Sequence, residues 1–305
     1  MKYDQGEDII EIGEEMSGVR IDAVLAQLRP EYTRNAWQKH IKSGQVKLDG
    51  REVKPSYIVK GTERLVVTGE PHKQDIQQIA STQELQVVYE DDDVIVIAKP
   101  SGLITHPKPG SHEASVSGSL HARVQDPDMI RPGIVHRLDK DTSGVMIVAK
   151  HVSAKQALQA AFKARAVSKE YLALVHGELG MGVRKINFGL SRSTRKATQM
   201  EVDPLGKPSE TFVQQLSHGD DVSLVLARPR TGRTHQIRVH LSSIKHPIVG
   251  DTMYGQRESA RYRLMLHAYS LKLPLPSGVT KTFTVAPDED FMSVLRDFHC
   301  DYQVQ

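Results

Sequence analysis

Between residues 133 and 150 the chain reads GIVHRLDKDTSGVMIVAK, and no other stretch constrains its fold as much. A polar loop carries Asp139 two residues after Arg137 and ends at Gly144; the apolar run 145–149 follows at once. That run reads as a buried strand bounded by turn residues. An ionised carboxylate beside a guanidinium, displayed on a loop and held by a rigid strand, is how a nucleophile or base is usually presented. A surface Arg–Asp turn is the competing reading of this stretch taken alone.

At 305 residues the chain has room for one large domain and one small one. Its 39% hydrophobic and 25% charged residues match a folded protein rather than a disordered one. The opening MKYDQGEDIIEIGEE has neither the basic start nor the apolar core of a signal peptide. No apolar run approaches the ~18 residues that a membrane span requires. The single cysteine, Cys300, cannot form an internal disulfide, which fits a reducing compartment. A soluble, cytoplasmic protein is the expectation.

The net charge of +3 is unevenly distributed. Residues 1–15 hold one Lys against six acids, an acidic arm of −5, whereas residues 16–69 hold ten Lys or Arg against five acids, or +5. A small basic domain on a nearly neutral body suits a grip on nucleic acid, with a solvated helix face as the alternative. Within it, Ile21, Val24, Leu25 and Leu28 mark one face of a helix that Pro30 helps to end. A second helix is expected from Thr33 as N-cap to near Gly44, with Arg34, Gln38 and Lys42 along an outward stripe. The Asp49-Gly50 pair in VKLDGREV predicts a two-residue hairpin.

The start RIDAVLAQL, the basic second helix and the hairpin GQVKLDGREVKP together resemble the S-four-type RNA-binding domain, over residues 19–67. The resemblance implies RNA-facing basic residues at Arg34, Lys39, Lys42, Lys47 and Lys54. Residues 70–83, polar and without a sustained period, read as a linker to a second domain over 84–305. There, strands are expected at 85–89, 94–98, 169–176 and 222–227. A helix is expected with Ala154, Ala157, Leu158, Ala161 and Phe162 at its repeat, opened by a Ser153/Gln156 capping box. Strands outnumber helices and most connections look like hairpins. The reading is an α+β protein whose catalytic domain has a mixed, mostly antiparallel sheet, beside a small N-terminal α/β domain.

Several chemistries are weakly supported. His235 and His240 in ARPRTGRTHQIRVHL are five apart, on opposite faces of a strand or about 140° apart on a helix, which disfavours a shared metal. GKPSE at 206–210 lacks the glycine spacing and the hydroxyl residue of a phosphate loop. Ser143 is not in a nucleophile elbow, and Cys300 is near the chain end. What remains is a carboxylate among arginines that also suit an RNA backbone.

Four patches, KPSGLITHP (99–107), HRLDKDTSGVMIVAK (136–150), KEYLALVHG (169–177) and GRTHQIRVHL (232–241), resemble the RluA/RluD-type RNA pseudouridine synthases and stand in that family's order. The resemblance implies site-specific conversion of uridine to pseudouridine, with large-subunit ribosomal RNA as the expected partner and no metal or organic cofactor. It implies Asp139 as the catalytic aspartate and Tyr171 as the residue that stacks on the uracil and is a candidate to remove its ring proton. Arg238 would pair with Asp139 and keep it ionised, and Arg137 would help to flip the nucleotide or fill the gap it leaves. Arg233 and His235 are further candidates for RNA contact, while His136 and His240 read as packing or RNA-contact residues. Arg192, Arg195 and Lys196 form a candidate phosphate patch. Two rival readings stand beside this one: a non-catalytic RNA-binding protein, and a hydrolytic nucleosidase with Asp141 as the second acid.

Overall fold

The computed structural model describes residues 7–29, 32, 34–71, 83–107, 113–128, 131–255 and 261–302. Described residues up to 71 form one compact unit and those from 83 onward form another.

Among the described residues, the first unit is a four-stranded sheet with two α-helices. Its elements are β1 (Glu7–Glu11), α1 (Ile21–Leu28), α2 (Arg34–Lys42), β2 (Val46–Leu48), β3 (Arg51–Glu52) and β4 (Arg64–Thr68), with strand order β1-β4-β2-β3. The expected apolar face of α1 is real: Ile21, Val24 and Leu25 are fully buried, against Trp37 and Ile41 of α2. Asp49 and Gly50 both take positive φ (48° and 77°), the conformation a two-residue hairpin turn demands. Part of the expected acidic arm belongs to this sheet, because Glu7–Glu11 pairs antiparallel with β4. Ile10 packs on the core and Ile12 is buried, a two-residue apolar period that a charge count hides. Pro30, the expected cap Thr33 and most of the expected linker, residues 72–82, lie outside the described residues.

The second unit is built on a nine-stranded sheet. Its strands are β5 (Gln86–Glu90), β6 (Val94–Lys99), β7 (Ser143–Ala149), β8 (Ser168–His176), β9 (Val183–Asn187), β12 (Glu210–Gly219), β13 (Val222–Pro229), β14 (Leu266–Pro274) and β15 (Thr280–Thr284). A two-stranded sheet, β10 (Leu190–Arg192) with β11 (Met200–Val202), lies between β9 and β12 in the chain. The large sheet runs β5-β6-β7-β14-β8-β13-β12-β9, with β15 on β14. The pairing of β7 with β14 is parallel and the others are antiparallel, so the expected mixed, mostly antiparallel sheet is what forms.

Among the described residues, the α-helices of this unit are the short α3 (Val116–Ser119), α4 (Val152–Lys163), α5 (Gln236–Ser243) and α6 (Glu289–Asp297). β7 is buried along its whole length, and Leu172 to Val175 of β8 are fully buried, as central strands covered on both faces must be. Each such Val, Leu or Ile contributes about 1.5–3 kcal/mol by leaving water. Gly144 permits the parallel pairing, because a Cβ there would lie 2.2 Å from the Ala268 carbonyl oxygen.

Two expectations for α4 need correction. Its N-cap is His151, whose Nδ1 accepts from the Ala154 amide and also bonds the Ser153 hydroxyl, so Ser153 lies inside the helix. Ala154 and Leu158 are buried but Ala157 is exposed, because the covered stripe follows the narrower i, i+4 spacing.

Candidate active site

Strand register brings the site together. Gly144 of β7 stands opposite Ala268 of β14, Ala268 opposite Tyr171 of β8, and Tyr171 opposite Ala227 of β13. The loop bearing Asp139 enters β7 just before this row, and the chain leaves β13 just after it, toward α5 and Arg238. Residues 99 positions apart in sequence thus meet: Arg238 Nη1 lies 3.4 Å from Asp139 Oδ2. Tyr171 packs against both hydrophobic clusters of this unit, so it occupies the seam between them.

The backbone on either side of Asp139 is clamped. The Thr105 hydroxyl donates to the Leu138 carbonyl (2.9 Å) and accepts from the Leu138 amide (3.2 Å). On the other side, Lys99, only 1% exposed, donates to the carbonyls of Pro100, Leu103 and Lys140 at 2.7–3.0 Å. The Gly102 amide also donates to the Lys140 carbonyl and the Ser101 hydroxyl to that of Asp141. Burial pushes the Lys99 pKa down to about 7, and three carbonyl acceptors match the three donors of its ammonium. The patch 99–107 is therefore what immobilises the aspartate loop. His136 adds a further tie: Nε2 accepts from the Ile147 amide at 3.1 Å while the ring stacks on Phe162. Burial, then the charge of Lys169, pushes its pKa to about 3, so it is a packing residue held neutral.

Arg238 is 8% exposed and is held from behind by Asp251, which is 1% exposed. Nε donates to Oδ2 at 2.7 Å and Nη2 to Oδ1 at 2.9 Å, a two-point fork that fixes the guanidinium plane. Burial works against the charge of Arg238, but the bonds and charge of Asp251, with the charge of Asp139, outweigh it and raise its pKa. Asp251 is fixed in turn by the amides of Met253 and Tyr254. The Tyr254 ring lies 5.1 Å from the guanidinium. Neither Asp251 nor Tyr254 stands out in the sequence, where VGDTMYG looks like an ordinary turn.

His235 caps α5 with φ of 54°, in the left-handed region, and points Nε2 to within 3.9 Å of Asp139 Oδ1. Burial, then the charge of Arg238, outweighs the pull of Asp139 and lowers its pKa. His240 lies elsewhere, fully buried between Ser209 (3.0 Å) and Thr211 (2.9 Å). The two histidines thus serve different environments. Tyr171 has its pKa raised by burial and then by the nearby charge of Asp139, so its phenol keeps its proton. Lys169, two residues before it on the same face of β8, reaches the Thr231 carbonyl (3.2 Å), and burial pushes its pKa to about 8.

Arg137 and Arg233 are exposed, and the charge of Arg137 is felt at His106 and His235. In the first unit, Lys39, Lys42, Lys47 and Lys54 are all exposed. Arg34 and Gln38, expected on an outward stripe, both also bond the buried Asp22 (2.8 and 2.6 Å), while the Arg34 side chain stays 49% exposed. Among the described residues, no group of three or more His, Cys, Asp or Glu is placed to hold a metal ion, and no helix is long and apolar enough to cross a membrane.

The fold agrees with comparisons to known proteins. Residues 93–243 match the model of the RNA pseudouridylate synthase family, and residues 19–65 match the S4 domain. The ribosomal large subunit pseudouridine synthase D of Yersinia pestis is 37% identical, covering 95% of this chain and 94% of that protein. Its namesake in Vibrio parahaemolyticus is 39% identical, over 79% of this chain and 74% of the other. Among solved structures, human RNA pseudouridylate synthase domain containing 1 aligns with a TM-score of 0.61 and 30% identity, over 74% of this chain and 92% of that one.

Proposed function

We propose that this chain, which belongs to the RNA pseudouridylate synthase family and is an RNA pseudouridine synthase, acts in the cytoplasm on large-subunit ribosomal RNA through Asp139, with Tyr171 and Arg238 completing its catalytic set. The observation that supports the assignment of residues is the 3.4 Å approach of Arg238 to Asp139, with Tyr171 near enough for the charge of Asp139 to raise its pKa.

The reaction breaks an N–C glycosidic bond, turns the uracil and joins a ring carbon to the same sugar carbon, leaving the mass of the RNA unchanged. A carboxylate at the sugar divides that step, either by adding covalently or by holding the cationic sugar. Arg238, unable to swing because Asp251 forks it, keeps that carboxylate oriented. The target must leave its stack, which costs a few kcal/mol, and stacking on Tyr171 returns about 1–3 kcal/mol. Tyr171 remains a phenol while Asp139 is charged. Once Asp139 is engaged with the sugar, that part of the opposition to ionisation is gone, which times any base role of Tyr171 to the end of the reaction. Arg137 and Arg233, exposed at the edge of the site, contact the RNA flanking the flipped nucleotide. Lys39, Lys42, Lys47 and Lys54, with the solvent-facing part of Arg34, serve as a separate phosphate grip.

The test is Asp139→Asn in purified protein, with pseudouridine mapped at nucleotide resolution on ribosomal RNA from cells lacking the enzyme. RNA binding and folding should persist while product disappears. Turnover by the Asn variant would sink the assignment, and release of free uracil by the wild type would favour a nucleosidase instead.

A further inference from the structure

The two oxygens of Asp139 face different partners. Oδ2 faces Arg238 at 3.4 Å, and Oδ1 faces His235 Nε2 at 3.9 Å. Both partners are fixed by a single turn, 251–254: Asp251 forks Arg238, and the Tyr254 hydroxyl meets His235 Nδ1 at 2.7 Å. From this arrangement we infer that Tyr254 is a positioning residue that fixes the tautomer of His235, so that a neutral Nε2–H is aimed at Asp139.

Donors and acceptors decide the tautomer. Among the described residues, the Tyr254 oxygen has two hydrogen-bond partners, the Met200 amide at 2.8 Å and His235 Nδ1 at 2.7 Å. The amide can only donate, so the phenol accepts from it and has its own hydrogen to place. His235 Nδ1 takes that hydrogen if it carries none, which leaves the ring proton on Nε2. The opposite tautomer would turn the Nε2 lone pair toward the Asp139 carboxylate, a repulsive contact. The two ends of the imidazole therefore demand the same tautomer.

The hydroxyl is itself anchored, since β11 supplies the Met200 amide and the neighbouring Gln199 side chain donates to the Met253 carbonyl. The left-handed backbone of His235 is the conformational cost of aiming its ring this way. At 3.9 Å the contact with Asp139 is longer than a hydrogen bond, as catalytic contacts often are before substrate binds and tightens them. Asp139 is thus bracketed by a permanent cation on one oxygen and a neutral donor on the other. A second cation there would hold the carboxylate too strongly for it to react, whereas a neutral donor orients it and lets go.

This inference rests on the reading of Asp139 as the reacting carboxylate, and the experiment separates the two. Protein labelled with ¹⁵N-histidine is examined by long-range ¹H–¹⁵N correlation, His235 being assigned by the signal that disappears in His235→Gln. Wild type is expected to show His235 protonated at Nε2 alone, and Tyr254→Phe, in which only the Asp139 end still sets the tautomer, to show a detectable share of Nδ1–H. Observation of Nδ1–H in the wild type overturns the inference without need of any variant. In pseudouridylation assays, Tyr254→Phe should lower kcat about 10–100-fold, the usual loss for a residue that orients a reacting group. Its KM should stay within about two-fold, because RNA binding is untouched.

A glutamine places its amide nitrogen near the position of Nε2, so His235→Gln should retain more activity than His235→Asn. Adding Tyr254→Phe to His235→Gln should cost nothing further, since no tautomer remains to be set. Losses that multiply independently, or a Tyr254→Phe variant with wild-type kcat, overturn the role of Tyr254. Asp139→Asn is assayed alongside. Activity in it defeats the underlying reading, whereas an inactive Asp139→Asn beside a fully active Tyr254→Phe defeats this inference alone.

Discussion

Each unit of the molecule buries one aspartate against arginine, and the two do so in opposite senses. In the first unit Asp22, fully buried, is the hub: Arg20 binds it through Nε and Nη2, Arg34 through Nη2, and Gln38 through its amide. The arginine side chains remain 41% and 49% exposed. In the second unit the arginine is the hub: Arg238 is buried, its fork is taken by Asp251, and its remaining amino group reaches on to Asp139. A carboxylate surrounded by half-exposed cations ties α1 to α2 and leaves those cations a face toward solvent. A buried cation with a carboxylate behind it has a single direction left to act in. On the proposed reading, the first arrangement serves stability and surface charge, and the second chemistry.

The largest effect that can test this contrast is the removal of the inner cation. Arg238→Met should lower kcat about 10²–10³-fold, the range for loss of one preorganised electrostatic partner. Arg238→Lys should fare little better, because an ammonium cannot occupy the two-point fork of Asp251 and reach Asp139 as well. Single-turnover kinetics on target RNA reads both. If the lysine variant is nearly wild type, the fork is incidental and the contrast collapses.

Asp22→Ala is the matched perturbation in the other unit. It leaves two arginines without their partner, but both already touch water, so the cost is about 1–3 kcal/mol rather than that of an orphaned buried charge. Fluorescence of Trp37, the only tryptophan of the chain and a core residue of this unit, should report a lower unfolding midpoint. Intrinsic turnover on a short RNA should not change. A fall in kcat as large as that of Arg238→Met would show that the two buried aspartates do the same work.

How much of this was legible in the sequence divides along the same line. The HRLD loop, its strand and the 171 and 238 positions could be read because each sits in a patch dense with chemistry-bearing residues. The apolar face of α1 and the Asp49-Gly50 turn were legible because local spacing alone decides them. Asp251 and Tyr254 were not, since a turn reading VGDTMYG gains its meaning only from α5 folding against it. The clamp by Lys99 and Thr105 was likewise hidden: its partners are backbone carbonyls and an amide, which carry no sequence signal. Arg34 is exposed as expected but has a second tie that its sequence position did not show, to a buried aspartate on another helix.

A smaller effect sharpens the claim that the first unit works through surface charge. Replacing Lys39, Lys42, Lys47 and Lys54 together by alanine should weaken binding to intact RNA and flatten its salt dependence, by about 0.7–0.9 in log–log slope for each phosphate no longer neutralised. The kcat at saturating RNA should hold, while selectivity for the correct uridine falls, since such contacts set register rather than chemistry. Titrations across a salt series check this, and an unchanged slope together with unchanged selectivity would remove the grip from the first unit.

The smallest expected effect lies in acid, where the two units should part company. Folded His136 titrates at about 3 and folded His106 at about 4, against an ordinary value of 6.5, both chiefly through burial. Below pH 6.5 the unfolded chain therefore binds protons that the folded second unit refuses, so the stability of that unit falls as pH drops toward those values. Lowered pKa values at His176, His235, His240 and His267 act in the same direction. The first unit has one such histidine among its described residues, the half-buried His40. Its shifted acids, Asp22 and Glu63, have folded pKa values below 3.8 and 4.5, so the stability they contribute is intact above about pH 4.5 and is lost only beneath it. Between about pH 7 and pH 5, Trp37 fluorescence should therefore report a thermal midpoint that falls only slightly, through His40 alone among the shifted groups described there. Hydrogen exchange in peptides of β7 and β8 should meanwhile show the second unit opening more readily as pH falls, once intrinsic exchange rates are corrected for. Parallel shifts of both probes over that interval would mean that the buried histidines do not govern the acid response, and that the electrostatic division between the two units ends at the active site.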